Sequence, residues 1–186
     1  MPALPPVNHA PHHQAGSPRY RPDPLRCLLV AEALPDSLDR FFYYPDGRRA
    51  DYLFLGVMQV LYPGLKEEFV ASSRPSAQKE ALLQRFQADG FYLLDALRVP
   101  PRLYHKHLHR AVPELLSRID AIAEPTTPII LIKATTYEAA YQPLRNAGYS
   151  RVFAESIPFP GQGWQHHFCA KFAKALQTLG ITWSKV

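Results

Sequence analysis

Two carboxylates interrupt otherwise apolar runs in this chain. Glu32 follows Leu28-Leu29-Val30-Ala31, and Asp95 follows Phe91-Tyr92-Leu93-Leu94. A charged side chain in such a run either reaches the end of its element or suffers desolvation. At a strand end a carboxylate can orient or activate a water, or accept a hydrogen bond from a substrate N–H or O–H. In purely structural roles, Glu32 would cap the next helix and Asp95 would brace the loop before Pro100-Pro101. Lys133 follows the apolar run 128–132 in the same way, and with Lys66, Arg74 and Arg98 it suits a rim that contacts phosphate.

Two aromatic segments accompany these charges. In Ile157-Pro158-Phe159-Pro160-Gly161-Gln162-Gly163-Trp164, the two prolines stiffen the backbone and the glycines leave amides open to a ligand. Phe159 and Trp164 set a ring on either side of the glycine pair. In Arg40-Phe41-Phe42-Tyr43-Tyr44-Pro45, four rings follow a base, too many for one segment to bury on one face. Phe41 or Phe42 would then stack on a planar ligand while Arg40 meets a phosphate; the alternative is rings that pack on the core.

Other chemistries lack their residues. The chain has no HExxH, no GxxxxGK[ST] phosphate loop, no G-x-S-x-G turn, and no glycine after the first strand to make a dinucleotide fingerprint. Cys27 and Cys169 are too few for an iron–sulfur cluster or a cysteine-rich zinc site, and read as core thiols. His105, His107 and His109 alternate, and His166 and His167 are adjacent, so neither group shares a helical face. No metal and no cofactor is expected. A net charge of +5 and a pI near 9.3 permit a polyanionic partner without requiring one.

The positioning elements follow from periodicity. Apolar runs at 25–31, 91–96, 128–132 and 151–154 read as strands covered on both faces. Helical spacing appears at 51–62, 76–88 with Ser76 as cap, 109–122, 137–147 with Pro143 as an interruption, and 164–179. Strand and helix in alternation predict an α/β three-layer sandwich around a central four-stranded parallel sheet. Ligands of such folds bind beyond the carboxyl ends of the strands, where Glu32, Asp95, Lys133 and Glu155 gather. Residues 1–24 carry seven prolines and three histidines, and read as a mobile arm before a single domain at 25–186. With no long apolar run and no signal-peptide order of residues, a cytoplasmic monomer with no membrane partner is the expectation.

Taken together, these segments resemble the uracil-DNA glycosylase superfamily over roughly residues 25–179. Ala31-Glu32-Ala33-Leu34-Pro35 is similar to that family's G-E-A-P-G loop without its glycines. Phe41 or Phe42 stands where the family stacks an aromatic on the flipped base, and Asp95 where asparagine reads the base edge. Ile157-Pro158-Phe159-Pro160 is similar to the H-P-S-P loop that inserts into the DNA minor groove, with isoleucine in place of histidine. The resemblance implies a DNA partner and hydrolysis of the N-glycosidic bond of an altered base extruded from the stack. Glu32 would position water, Asp95 would contact the base, and His166 would replace the missing histidine donor. Pro158, Phe159, Gly161, Gln162, Gly163 and Trp164 would follow the DNA backbone, and Lys133 would meet a phosphate. The same fold without turnover, a nucleic-acid or nucleotide-binding protein, is the alternative expectation.

Overall fold

The computed structural model describes residues 18–47, 51–98 and 108–183. Strands β1 (Cys27–Ala33), β2 (Phe91–Leu97) and β3 (Ile129–Leu131) form a parallel sheet in the order β2-β1-β3. The helices are α1 (Tyr52–Leu61), α2 (Pro63–Ala71), α3 (Ser76–Ala88), α4 (Leu108–Asp120), α5 (Ala134–Asn146) and α6 (Gln165–Thr178).

Strand register decides what each face carries. Cys27 pairs with Phe91 and Ala31 with Asp95. Paired residues of parallel strands share a face, and successive residues alternate between faces. One face therefore holds Leu29, Ala31, Phe91, Leu93 and Asp95; the other holds Val30, Glu32, Tyr92, Leu94 and Ala96. On the first face Phe86 of α3 stacks on Phe91 with ring centroids 5.4 Å apart, and Phe42 joins Phe86 to Phe54 of α1. Helix α6 packs on α1. On the second face α4 and α5 pack on each other, α4 against β2 and α5 against β1 and β3. The strand residues Leu28, Leu29 and Val30 are fully buried between these layers.

The sheet has three strands rather than the expected four. The segment after Ser150 touches β3 only through parallel bridges at Ile129–Val152 and Ile132–Ile157. Between them, Tyr137 donates a hydrogen bond to the Ala154 carbonyl and Lys171 to that of Ser156. The segment has two more residues between the bridges than β3 has, a bulge that interrupts the ladder. The start of α3 is also corrected: Ser76 is its first residue, and Pro75 occupies the cap without a side-chain bond. Pro63 does more than stop α1, because its fixed φ opens α2. Asp51 caps α1, accepting a hydrogen bond from the Phe54 amide at 3.1 Å.

The outer edge of β2 is closed by side chains. The Tyr43 hydroxyl accepts from the Leu93 amide at 2.7 Å and donates to the Leu93 carbonyl at 3.1 Å. Arg118 donates to the carbonyls of Asp95 and Ala96 at 2.9 and 2.6 Å. The expected arm is corrected over 18–24. Tyr20 is buried, stacks on Tyr43 at 5.4 Å and donates to Glu80, while Gln87 donates to the carbonyls of Arg19 and Arg21. The rest of that arm, including His9, His12 and His13, lies outside the described residues, as do His105 and His107.

Candidate functional site

At the carboxyl end of the sheet, Glu32 is held by two donors from the start of α5. Lys133 Nζ forms a short ion pair with Glu32 Oε2, and Thr135 Oγ1 donates to Glu32 Oε1 at 2.6 Å. A carboxylate offers about four lone-pair positions, so two remain for a water or a substrate donor. Glu32 is 18% exposed and Lys133 42%, which places the pair at the surface of the strand mouth.

Lys133 carries an unusual backbone. Its φ of 83° and ψ of 141° fall near a region that glycine occupies almost alone. Its amide donates to the Ile157 carbonyl at 2.7 Å, and its carbonyl accepts from Tyr137. These bonds hold the residue in place against a strain on the order of 1–3 kcal/mol. A lysine kept where glycine would relax has its side chain aimed by that strain at Glu32.

Asp95 does not join this group. Its register partner is Ala31, so its carboxyl leaves the sheet on the face opposite Glu32. The expected carboxylate pair is thus separated by the sheet itself. Burial pushes the Asp95 carboxyl up to about 7; nearby Arg118 pulls it down in part, and Asp51 adds to the rise. Asp51 and Lys79 lie at the same face: Asp51 Oδ2 accepts no hydrogen bond and is 3.7 Å from Lys79 Nζ. Lys79 is only 2% exposed, donates to the Phe41 carbonyl at 3.2 Å and lies 4.7 Å from the Phe54 ring centroid. Burial pushes the Asp51 carboxyl up and the Lys79 ammonium down, each countered by the other's charge.

The expectation that Phe41 or Phe42 stacks on a ligand is corrected. Their exposures are 1% and 3%. Phe42 is packed by Tyr43, Phe54 and Phe86, and Phe41 meets the edge of Tyr43. Both rings spend their faces in the core because the turn after the 3-10 segment at Leu38–Arg40 folds inward.

The 157–164 loop behaves differently. Ile157 is fully buried beside Ile132, so its position at the mouth holds no acid–base group. Pro158 is half-buried and Pro160 buried, while Phe159 and Trp164 are 42% and 53% exposed. The Trp164 amide donates to the Gly161 carbonyl at 3.0 Å, closing a turn across Gln162 and Gly163. Both central residues have positive φ, 49° and 87°, the arrangement of a type I′ turn. Among the described residues, neither Gly161 nor Gly163 uses its amide in a backbone hydrogen bond. Helix α6 follows with no side-chain cap at Trp164, leaving its first-turn amides open. His166 and His167 are exposed on that turn, with His167 against the Trp164 ring at 5.2 Å.

Sequence reasoning missed Thr135, Arg118 and Tyr52. Thr135 was legible, since it lies two residues beyond Lys133 at the same strand end and opens a helix. Arg118 gave no signal, because it acts on backbone carbonyls of a strand remote in sequence. Tyr52 is 42% exposed in the first turn of α1, which periodicity alone marks as an ordinary surface position. Among the described residues, no three His, Cys, Asp or Glu side chains are placed to hold a metal, and no helix is long and apolar enough to cross a membrane. Comparison with protein-family models, with curated proteins and with solved structures returns no match to this chain.

Proposed function

We propose that this protein is uracil-DNA glycosylase-like and binds nucleic acid at the carboxyl ends of its strands, with the 157–164 loop as the inserting or stacking element. The observation that carries the reading is the exposure of Phe159 and Trp164 at 42% and 53% in one short loop. Among the described residues, Tyr52 is the one other phenylalanine, tyrosine or tryptophan ring exposed to this degree, at 42%, and it stands alone in the first turn of α1. Exposed rings stack on unpaired bases irrespective of sequence, each worth about 1–3 kcal/mol. Open amides at Gly161, Gly163 and the start of α6 supply phosphate contacts, and the charge of +5 favours approach to a polyanion.

Hydrolysis of the N-glycosidic bond of an altered base is the second reading, and the Glu32–Lys133–Thr135 cluster favours it. In that reaction Glu32 positions a water that adds to C1′ as the base departs, and His166 is the exposed donor for the leaving base. Asp95, on the other face of the sheet, takes no part in it, and the base would stack on Phe159 or Trp164 in place of Phe41 or Phe42.

The experiment titrates single- and double-stranded oligonucleotides carrying uracil, hypoxanthine, xanthine or a mismatch, and follows alkaline cleavage of abasic sites. Salt-dependent binding without cleavage is the expected outcome of the first reading. Cleavage that disappears in E32A establishes the second. No salt-dependent affinity for any oligonucleotide would overturn both.

A further inference from the structure

A cleft lies at the opposite pole, where the strands begin. Its volume is about 350 Å³, at the lower end of the range for small-molecule sites. Arg26 immediately precedes β1, Pro128 precedes β3, and Arg151 precedes the bridge at Val152, so three neighbouring chain segments bring these residues to one rim. Exposed Glu124 and Thr126 also line it, and the buried Pro128 and Ile181 give it an apolar floor.

Both arginines are anchored, and neither forms an ion pair among the described residues. Arg151 donates to the Leu179 carbonyl, and one Arg26 nitrogen lies 3.4 Å from Thr182 Oγ1. The stem of Arg26 lies over Gly90, where an added Cβ would come within 2.6 Å of Arg26 Cγ. Gly90, at φ 83°, thus leaves room for the stem of an arginine that lines the cleft. Each guanidinium has further N–H groups for a ligand.

We propose that this cleft binds a small sugar phosphate, of the size of a nucleoside monophosphate. Two guanidiniums on one rim suit a tetrahedral phosphate, which can accept from both; a lone carboxylate is already satisfied by one arginine fork. Glu124 and Thr126 face the position of the sugar hydroxyls, with Glu124 accepting and Thr126 able to donate or accept. The apolar floor covers the base. The site is independent of the loop at the carboxyl pole.

Calorimetric titration of the full chain with AMP, ribose 5-phosphate, adenosine and inorganic phosphate tests the proposal. AMP and ribose 5-phosphate are expected to saturate one site, with adenosine and inorganic phosphate each weaker by about tenfold or more. R26A, with an unchanged melting temperature, and R151K, which keeps charge but loses the fork, should each weaken AMP by about tenfold. W164A should bind AMP like the wild type, and amide shifts should fall at Thr126 and Ile181. No saturable AMP binding, adenosine binding as tightly as AMP, or R26A and R151K both without effect would overturn the proposal. Inorganic phosphate binding as tightly as ribose 5-phosphate would overturn its sugar component.

Discussion

Lys133 and Asp95 each sit in a conformation or environment that costs stability, and each cost can be measured. At Lys133 a glycine would relax φ 83° without disturbing the amide bond to Ile157. K133G is therefore expected to raise unfolding free energy by about 1 kcal/mol in a denaturant titration, while oligonucleotide affinity or base release falls. A fall in both would show that the lysine side chain is structural. At Asp95 the folded carboxyl keeps its proton up to about 7, whereas an unfolded one releases it near 3.8. Between those values the folded state binds more protons than the unfolded state, so stability falls as pH rises through this window. D95N should flatten that slope and be more stable than wild type above pH 7 by about 1–3 kcal/mol, as read from melts across pH. An unchanged slope in D95N would place the titration elsewhere.

At the scale of elements, the 157–164 loop and the aromatic segment at 40–45 make opposite uses of the same residue types. Replacing Phe159 or Trp164 by alanine should lower oligonucleotide affinity by about tenfold each, with no loss of melting temperature, because neither ring is part of the core. Fluorescence of Trp164 should also be quenched on binding, against the more protected Trp183, whose indole donates to the Leu61 carbonyl at 2.8 Å. The strands and most helices were legible because apolar runs and 3.6-residue periods report burial directly. What could not be read was the fate of chemically identical groups. Phe41 and Phe42 resemble Phe159 in sequence, and only the path of the chain after residue 40 decides which rings enter the core. The fourth strand failed for a related reason: two extra residues between its bridges to Ile129 and Ile132 break the pairing, and an apolar run does not show such a bulge. The separation of Glu32 from Asp95 depends on a register offset of one residue, which no single strand reveals.

For the molecule as a whole, the sheet divides the polar chemistry into separate places. Glu32, Lys133 and the aromatic loop are at the mouth of the strands, the Arg26–Arg151 cleft is at their origin, and Asp95 with Asp51 and Lys79 lies on the opposite face from Glu32. Variants at one place should leave the others intact, which makes double variants such as E32A/R26A additive in stability to within about 0.5 kcal/mol. The edge of β2 has a consequence beyond the fold. A strand with open amides and carbonyls templates its own extension by a neighbouring chain, and the Tyr43 phenol at Leu93, with Arg118 at Asp95 and Ala96, stands where that neighbour would dock. Y43F would leave the Leu93 amide without its acceptor, costing about 1–3 kcal/mol. The sharper sign would be particle growth of Y43F by light scattering at temperatures where the wild type does not scatter, which would make Tyr43 a guard against edge-to-edge association.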